Sequence, residues 1–441
     1  TTQSDSEVIL HLFKEKGTDC IKELDGMFAF AVTEGSTFML GRDPVGIKPL
    51  YYGYYNGNLY FSSELGAMSL AELEEVHEFP AGHYYTPEQG FVQYYNIPAV
   101  KENKYTKIDK ACQIIRERFT AAVKKRLLSD KEIHVGAFCS GGLDSSLVSA
   151  IAAKEIPNLH TFVVGMQDEN GDDSDDLKAS RLVAEHINSN HHELVFDEND
   201  YYEALPRVIG KLESYDPSLV RCAVPCYFTC KLAAKYVTVV LTGEGADEVF
   251  AGYHYMKELA ENEVNKECRR CMTHLHNINL QRADRIGMLF SLELRVPFLD
   301  VSMLELGMEL PADLKIHTDK HCNGARVEKW ILRRAFADYL PEEVMWRYKA
   351  QYTQGAGCQS LGEKLAEQEI SDKELKRMQQ KFPHARLNSK EAAYYYKIFR
   401  RYHPQQSILK SIGIWSGFDF ASERKQLKGT FDGNLSYAPN T

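Results

Sequence analysis

No apolar run in this sequence approaches the roughly 18 residues that a membrane-spanning helix requires. The opening residues, Thr1-Thr2-Gln3-Ser4-Asp5, lack the basic and apolar regions of a secretory leader. Cysteine is sparse, 10 in 441 residues, too few for a disulfide scaffold. Basic residues do not dominate: 52 Lys and Arg stand against 62 Asp and Glu, a net charge of -10, which disfavours a chain that wraps nucleic-acid phosphates. No internal repeat and no low-complexity tract occurs. These absences imply a soluble, cytoplasmic protein with reduced thiols and with neither a membrane nor a nucleic-acid partner. An initiator methionine is also missing, which suggests that the true start of the gene product lies upstream.

What is present is an ordinary globular composition, 44% hydrophobic and 26% charged, at a length beyond the reach of one hydrophobic core. Two domains are expected. A helix over 6–16 precedes β signals at Gly26 to Val32, Thr37 to Leu40 and Leu59 to Phe61, with turns at Glu34-Gly35 and Asn56-Gly57. This reads as an antiparallel sheet with helices. A charged, aperiodic stretch from Val100 to Lys107 suits a linker. An amphipathic helix follows with Ile115, Phe119, Ala122, Val123 and Leu127 on one face. Buried strands at 134–139, 159–164, 193–196 and 236–241 then alternate with helices, the pattern of βαβ crossovers and a parallel sheet. Beyond Ala251 the pattern is mainly helical.

Two cysteine clusters call for a reading. Cys222, Cys226 and Cys230 recur every four residues and so share one helix face as small core-facing side chains. Cys268, Cys271, His274 and His276 open with a zinc-like separation. The segment 262–286 nevertheless reads as polar helix throughout, with no loop on which four ligands converge, so helix is the expectation.

The strongest local signal is Ser140-Gly141-Gly142-Leu143-Asp144-Ser145-Ser146, between a buried strand and a helix. Its glycines let backbone N–H groups approach a ligand and the helix N-terminus adds positive potential, so the loop is built for phosphate. It is not a Walker loop, because no lysine follows the second glycine at the required place. Asp144 suits an anion cradle only if a cation stands between it and the phosphates, and magnesium supplies one. A second loop, Thr242-Gly243-Glu244-Gly245-Ala246-Asp247-Glu248, again follows a buried strand. Both loops therefore lie at the carboxyl ends of parallel strands, where open α/β sheets bind ligands. Asp247 offers a second carboxylate for magnesium and Glu244 a charge toward a substrate.

At these residues the sequence resembles the asparagine synthetases. Ser140 to Ser146 and Thr242 to Phe250 look like the nucleotide loops of that family. Glu293 to Asp300, Trp346-Arg347-Tyr348-Lys349, and Phe382-Pro383 followed by Lys390 to Tyr396 are similar to further signatures of it. The resemblance runs from about Asp5 to near Trp415. It implies an ATP-pyrophosphatase-type α/β synthetase domain over 110–420, a linker over 100–109, a partial αββα glutaminase domain of the N-terminal-nucleophile type over 1–99, and a tail over 421–441.

The chemistry that the resemblance implies is adenylation of the aspartate side-chain carboxylate by ATP, then displacement of AMP by ammonia. By it Ser140, Gly142 and Ser145 hold pyrophosphate, Gly141 belongs to the same ATP-binding loop, and Asp144 and Asp247 share Mg2+. Phe138, Val164, Thr242 and Gly243 line the adenosine pocket. Glu244 is the acid needed to form the adenylate, and Lys349 neutralises charge on the transferring phosphoryl group. Arg221 falls where the family has an arginine, and pairs with either a substrate carboxylate or a structural acid. Asp25 to Phe30, Gly41 to Leu50 and Ser62-Ser63-Glu64 look like the later part of the glutaminase, and Asp5 stands where the family binds the amine of glutamine. No cysteine precedes Cys20, and Thr1 leads into the loop before Asp5 without opening a central strand. The expectation is therefore an N-terminally truncated member that uses ammonia and does not hydrolyse glutamine, with a homodimer as a candidate assembly.

Thr242 replaces a usual serine, Ala350 a usual acid, and Lys131-Glu132-Ile133 a shorter turn. Two other readings keep the scaffold: a β-lactam or cyclising synthetase that traps the adenylate with an internal amine, and a noncatalytic subunit. The second expects a broken loop or a lost Asp144, Asp247 or Lys349, and all are present.

Overall fold

The computed structural model describes the chain apart from residues 1–3, 36, 70–72, 74, 102–103, 131 and 416–441. Thr1, Lys131 and the tail from Ser416 therefore lie outside the described residues. Helix α1 (Glu7–Lys16) leads into β1 (Ala29–Glu34), β2 (Thr37–Arg42), β3 (Tyr51–Tyr55), β4 (Asn58–Ser62), the short α2 (Leu65–Met68), β5 (Val76–Glu78), β6 (His83–Thr86) and β7 (Gly90–Gln93). These strands form two antiparallel sheets, ordered β1-β2-β6-β7 and β4-β3-β5. The Asn56-Gly57 pair turns β3 into β4, with Tyr55 opposite Asn58. The stretch after Val100 is anchored: Lys101 N–H donates to Met308 O at 3.0 Å and Lys104 pairs with Glu309 at 2.6 Å.

The second unit begins with α3 (Ile108–Arg126). It continues through β8 (Val135–Phe138), α4 (Leu143–Ala153), β9 (His160–Gly165), α5 (Asp175–His186), β10 (Asn190–Val195), α6 (Glu198–Leu212), α7 (Pro217–Ala233), β11 (Val239–Leu241) and α8 (Ala246–Val249). Its sheet is wholly parallel in the order β10-β9-β8-β11-β12, where β12 is Glu293–Arg295. Side chains alternate between its faces, as the two-residue period of a strand requires. Val239 and Leu241 join the core built on α3 and α4, whereas Val240 joins the core built on α6 and α7. Both faces are covered, which is why these strands read as continuous apolar runs.

The order reverses at β8. Strands β9 and β10 are laid down on one side of it and β11 and β12 on the other, which opens a crevice between the ends of β8 and β11. The two motif loops are the segments that leave these two strands.

The region beyond Ala251 is mainly helical, as expected, with three short strands besides: β12 adds a fifth strand to the parallel sheet, and β13 (His317–Thr318) pairs with β14 (Arg326–Val327). At two or three residues these strands are too short to show a period. The structure corrects one expectation: the segment 262–286 is not one helix. Helix α9 (Glu261–Thr273) ends before a 3-10 turn and α10 (Asn279–Met288) follows. Cys268 and Cys271 are buried on α9, whereas His276, in the turn, pairs with Glu78 at 2.7 Å.

Candidate active site

Both motif loops open onto one cleft of about 390 Å³. Phe138, Ser140, Asp144, Ser145, Val164, Arg221, Thr242, Gly243, Glu244, Asp247 and Lys349 line it, together with Arg347 of the Trp346 to Lys349 motif and with residues the sequence did not single out, including Asp176, Tyr253 and Arg282. Gly141 and Gly142 belong to the first loop behind this lining. Asp5 is elsewhere, exposed beside α1, where its carboxylate accepts from Ser6 Oγ at 3.3 Å.

The first loop is organised by its own hydroxyls. Ser145 Oγ accepts from Ser140 N–H at 3.2 Å and lies 3.1 Å from Ser140 Oγ. Gly141 holds φ +72°, and a Cβ there would lie 2.6 Å from Ser180 N. The loops also press on each other, since a Cβ on Gly243 would lie 2.8 Å from Asp144 Cβ and 2.9 Å from Ser145 N. Only glycine permits this approach of the second loop to the first turn of α4.

At the floor, two carboxylates and two ammonium groups alternate. Lys329 Nζ donates to Asp144 Oδ2 and stands 2.6 Å from Asp247 Oδ1. Lys349 Nζ donates to the same Asp247 oxygen and, at 2.8 Å, to Gly252 O. Lys329 is 2% exposed, and its backbone is left-handed at φ 54°. Asp144 Oδ1 is buried without a hydrogen-bond partner.

Burial pushes the Asp144 carboxyl up, against the pull of Lys329. Burial also opposes ionisation of Asp247, but Lys329 and Lys349 together outweigh it and hold that carboxyl below the usual range. Lys329 is likewise disfavoured by burial, yet Asp144 and Asp247 raise it above the ordinary lysine value. Burial, aided by the neighbouring Lys329, lowers Lys349. Of the two carboxylates, the shared Asp247 is thus the more firmly ionised.

On another wall, Arg282 of α10 donates to Glu244 Oε1. Burial pushes the Glu244 carboxyl up, with Arg282 opposing. Arg221 is engaged with Glu391, its Nε donating at 2.8 Å and its Nη2 to the second oxygen. Arg347 stands 3.2 Å from Asp176, whose carboxyl burial pushes up to about 7 in spite of that partner. Cys222 and Cys226 of α7 also line the cleft, so of the three spaced cysteines Cys226 and Cys230 join the core as expected, whereas Cys222 faces the site.

Lys329 and Arg282 are the principal residues that the sequence reading missed. Glu328-Lys329 directly precedes the apolar Trp330-Ile331-Leu332, so two charges held between buried residues were the available signal. For Arg282 it was the cluster Gln281, Arg282 and Arg285, all buried, on one face of α10.

The profile of the family described as asparagine synthase matches residues 114–267 and 256–406, and that of the glutamine amidotransferase domain matches residues 1–117. With that amidotransferase domain present, neither the expectation of an N-terminal truncation nor the absence of glutamine hydrolysis inferred from it is supported. A probable glutamine-hydrolysing asparagine synthetase of Dictyostelium discoideum is 36% identical over 94% of this chain and 78% of its own length. Asparagine synthetase 1 of Arabidopsis thaliana is 38% identical over 92% of this chain and 71% of its own. Asparagine synthetase B of Escherichia coli is 36% identical over 93% and 76%. Among the described residues no helix is long and apolar enough to cross a membrane. With the asparagine synthase profile matched across most of its length and relatives of this identity, the chain belongs to the asparagine synthetase family.

Proposed function

We propose that the cleft makes asparagine: ATP adenylates the side-chain carboxylate of aspartate with release of pyrophosphate, and ammonia then displaces AMP. The observation that carries this reading is the convergence of two strand-to-helix loops on an alternating array of Asp144, Lys329, Asp247 and Lys349. Loops at a switch point hold the nucleotide, and paired cations beside them meet the charge of a triphosphate.

In this reading the N–H groups of Gly141 and Gly142 and the hydroxyls of Ser140 and Ser145 cradle the pyrophosphate, as the fixed geometry of the loop supports. Phe138, Val164, Thr242 and Gly243 border the adenosine. Asp144 and Asp247 suit Mg2+, because one or two carboxylates plus substrate phosphates are what this ion takes from its site, and Asp144 Oδ1 is a buried acceptor with no partner. When bound, the ion would neutralise phosphate charge. Lys329 and Lys349, now engaged with the two carboxylates, are then placed to turn toward the phosphoryl oxygens. Glu244, held by Arg282, faces the amine of aspartate. Arg221 keeps a structural role through Glu391, and Asp5 serves the amine of glutamine in the N-terminal unit.

The accompanying division of the chain is 1–99, a linker over 100–109, 110–420 and a tail over 421–441. It is supported by the end of the antiparallel strands at Gln93 and the start of α3 at Ile108. The test is asparagine formation from aspartate, MgATP and an ammonium salt. Stoichiometric asparagine, AMP and pyrophosphate are expected; a cyclised product or ADP would reject the reading.

A further inference from the structure

Helix α10 is fastened to both units of the molecule by side chains one turn apart. Arg282 reaches Glu244 in the cleft. On the next turn the guanidinium of Arg285 lies 2.8 Å from Glu213 and 5.7 Å from the centre of the Tyr51 ring in β3. Between them, Asp284 pairs with Lys48 of the N-terminal unit at 2.9 Å. Glu213, which ends α6 with φ 56°, also accepts the N–H groups of Leu65 at 2.9 Å and Gly66 at 2.7 Å, in the first turn of α2. Gln281 Nε2 donates to Leu212 O at 2.8 Å, beside the same junction.

Glu213 and Arg285 are both buried. Losing either would strand a desolvated charge, so the pair tolerates little displacement. A helical turn is stiff, and its side chains three residues apart lie on the same face. Movement of Arg285 is therefore carried to Arg282, and from Arg282 to the Glu244 carboxylate. The contact could merely glue two units together. However, Glu213 ties α2 to the helix whose Arg282 holds Glu244, and Lys48 of the N-terminal unit reaches that same helix through Asp284, whereas ties such as Lys125 to Asp25 and Lys410 to Glu75 run to other elements.

We propose that Glu213 and Arg285 are positioning residues for the aspartate side of the reaction: they set the pose of α10, and through Arg282 that of Glu244, according to the placement of α2. The proposal rests on the role given to Glu244 above.

The experiment compares Arg285→Met, Arg285→Lys and Glu213→Gln with the parent chain in pyrophosphate release, varying aspartate and ATP separately, and in amide hydrogen exchange of the segments 62–69 and 242–250. Arg285→Met and Glu213→Gln should each lower kcat/KM for aspartate about tenfold, the scale of one charge-assisted contact, with KM for ATP changed less than about twofold. Arg285→Lys should recover most of the loss, and exchange should rise in both segments. Equal loss toward ATP and aspartate, or faster exchange confined to 62–69, would overturn the proposal and leave a structural clamp. Exchange decides the matter even if the assigned reaction is wrong, and Glu244→Gln turning over aspartate normally would locate that separate error. If Arg285→Met does not fold, Glu213→Gln, nearly equal in size, carries the comparison.

Discussion

Lys329 Nζ stands 2.6 Å from Asp247 Oδ1, and because the same ammonium also engages Asp144, one buried lysine joins the two loops that define the cleft. Four charges of alternating sign in a desolvated site are stable only as a set, since removing one leaves its neighbours unpaired.

Lys329→Met should therefore destabilise the chain by about 3 kcal/mol or more, the scale of breaking a buried pair, and should abolish pyrophosphate release. Urea denaturation reads the first effect and a coupled pyrophosphate assay the second. An unchanged denaturation midpoint would mean that the carboxylates find other partners or that the array is hydrated.

Asp144→Asn and Asp247→Asn should each suppress pyrophosphate release across a magnesium titration, because each removes one of two carboxylates suited to the ion. Asp247→Asn should be the more destabilising, as it takes the shared partner from both lysines. Normal release at limiting magnesium in either variant would remove that residue from the assignment.

Lys349→Ala should lower turnover about a hundredfold, near 3 kcal/mol, with a much smaller loss of ATP affinity, if its charge acts mainly as pyrophosphate departs. Turnover at saturating ATP and aspartate, set beside direct ATP binding, separates the cases. A variant that recovers full turnover once ATP saturates would reduce Lys349 to a ground-state ligand.

Much of this site was legible in the sequence because its parts are local. Ser140 to Ser146 and Thr242 to Glu248 combine an apolar strand, glycines and acids within a few residues, and the structure gathers most of the named side chains around one cleft. Lys329 was not legible, since it lies 185 positions from Asp144 and its neighbourhood is set by the β13–β14 hairpin. Arg282 was hidden for a related reason: the segment was read as one polar helix, whereas the turn at Leu275–Asn277 redirects the chain so that α10 carries its arginines inward. Strand β12 escaped notice because three residues show no period, although its motif, Glu293 to Asp300, was recognised.

Asp176 should give the stability a pH slope. Its carboxyl is raised to about 7 by burial, which outweighs Arg347, so the folded state holds a proton that the unfolded chain releases near pH 4. Between those values folded protein binds more protons than unfolded, and stability falls as pH rises toward 7. The group's stabilising effect is complete below about pH 4 and lost by about pH 8. Asp176→Asn should flatten this part of the profile in denaturation series from pH 5 to pH 8; an identical slope in the variant would place the dependence elsewhere.

The most direct test of the central claim follows oxygen. Aspartate labelled with 18O in its side-chain carboxylate is incubated with MgATP and ammonium, and the AMP is analysed by mass spectrometry. If a carboxylate oxygen attacks the α-phosphorus and ammonia then breaks the acyl C–O bond, that oxygen leaves with the nucleotide. The account predicts one 18O atom in each AMP formed with asparagine. Unlabelled AMP, or ADP with labelled phosphate in its place, would contradict adenylation at this cleft.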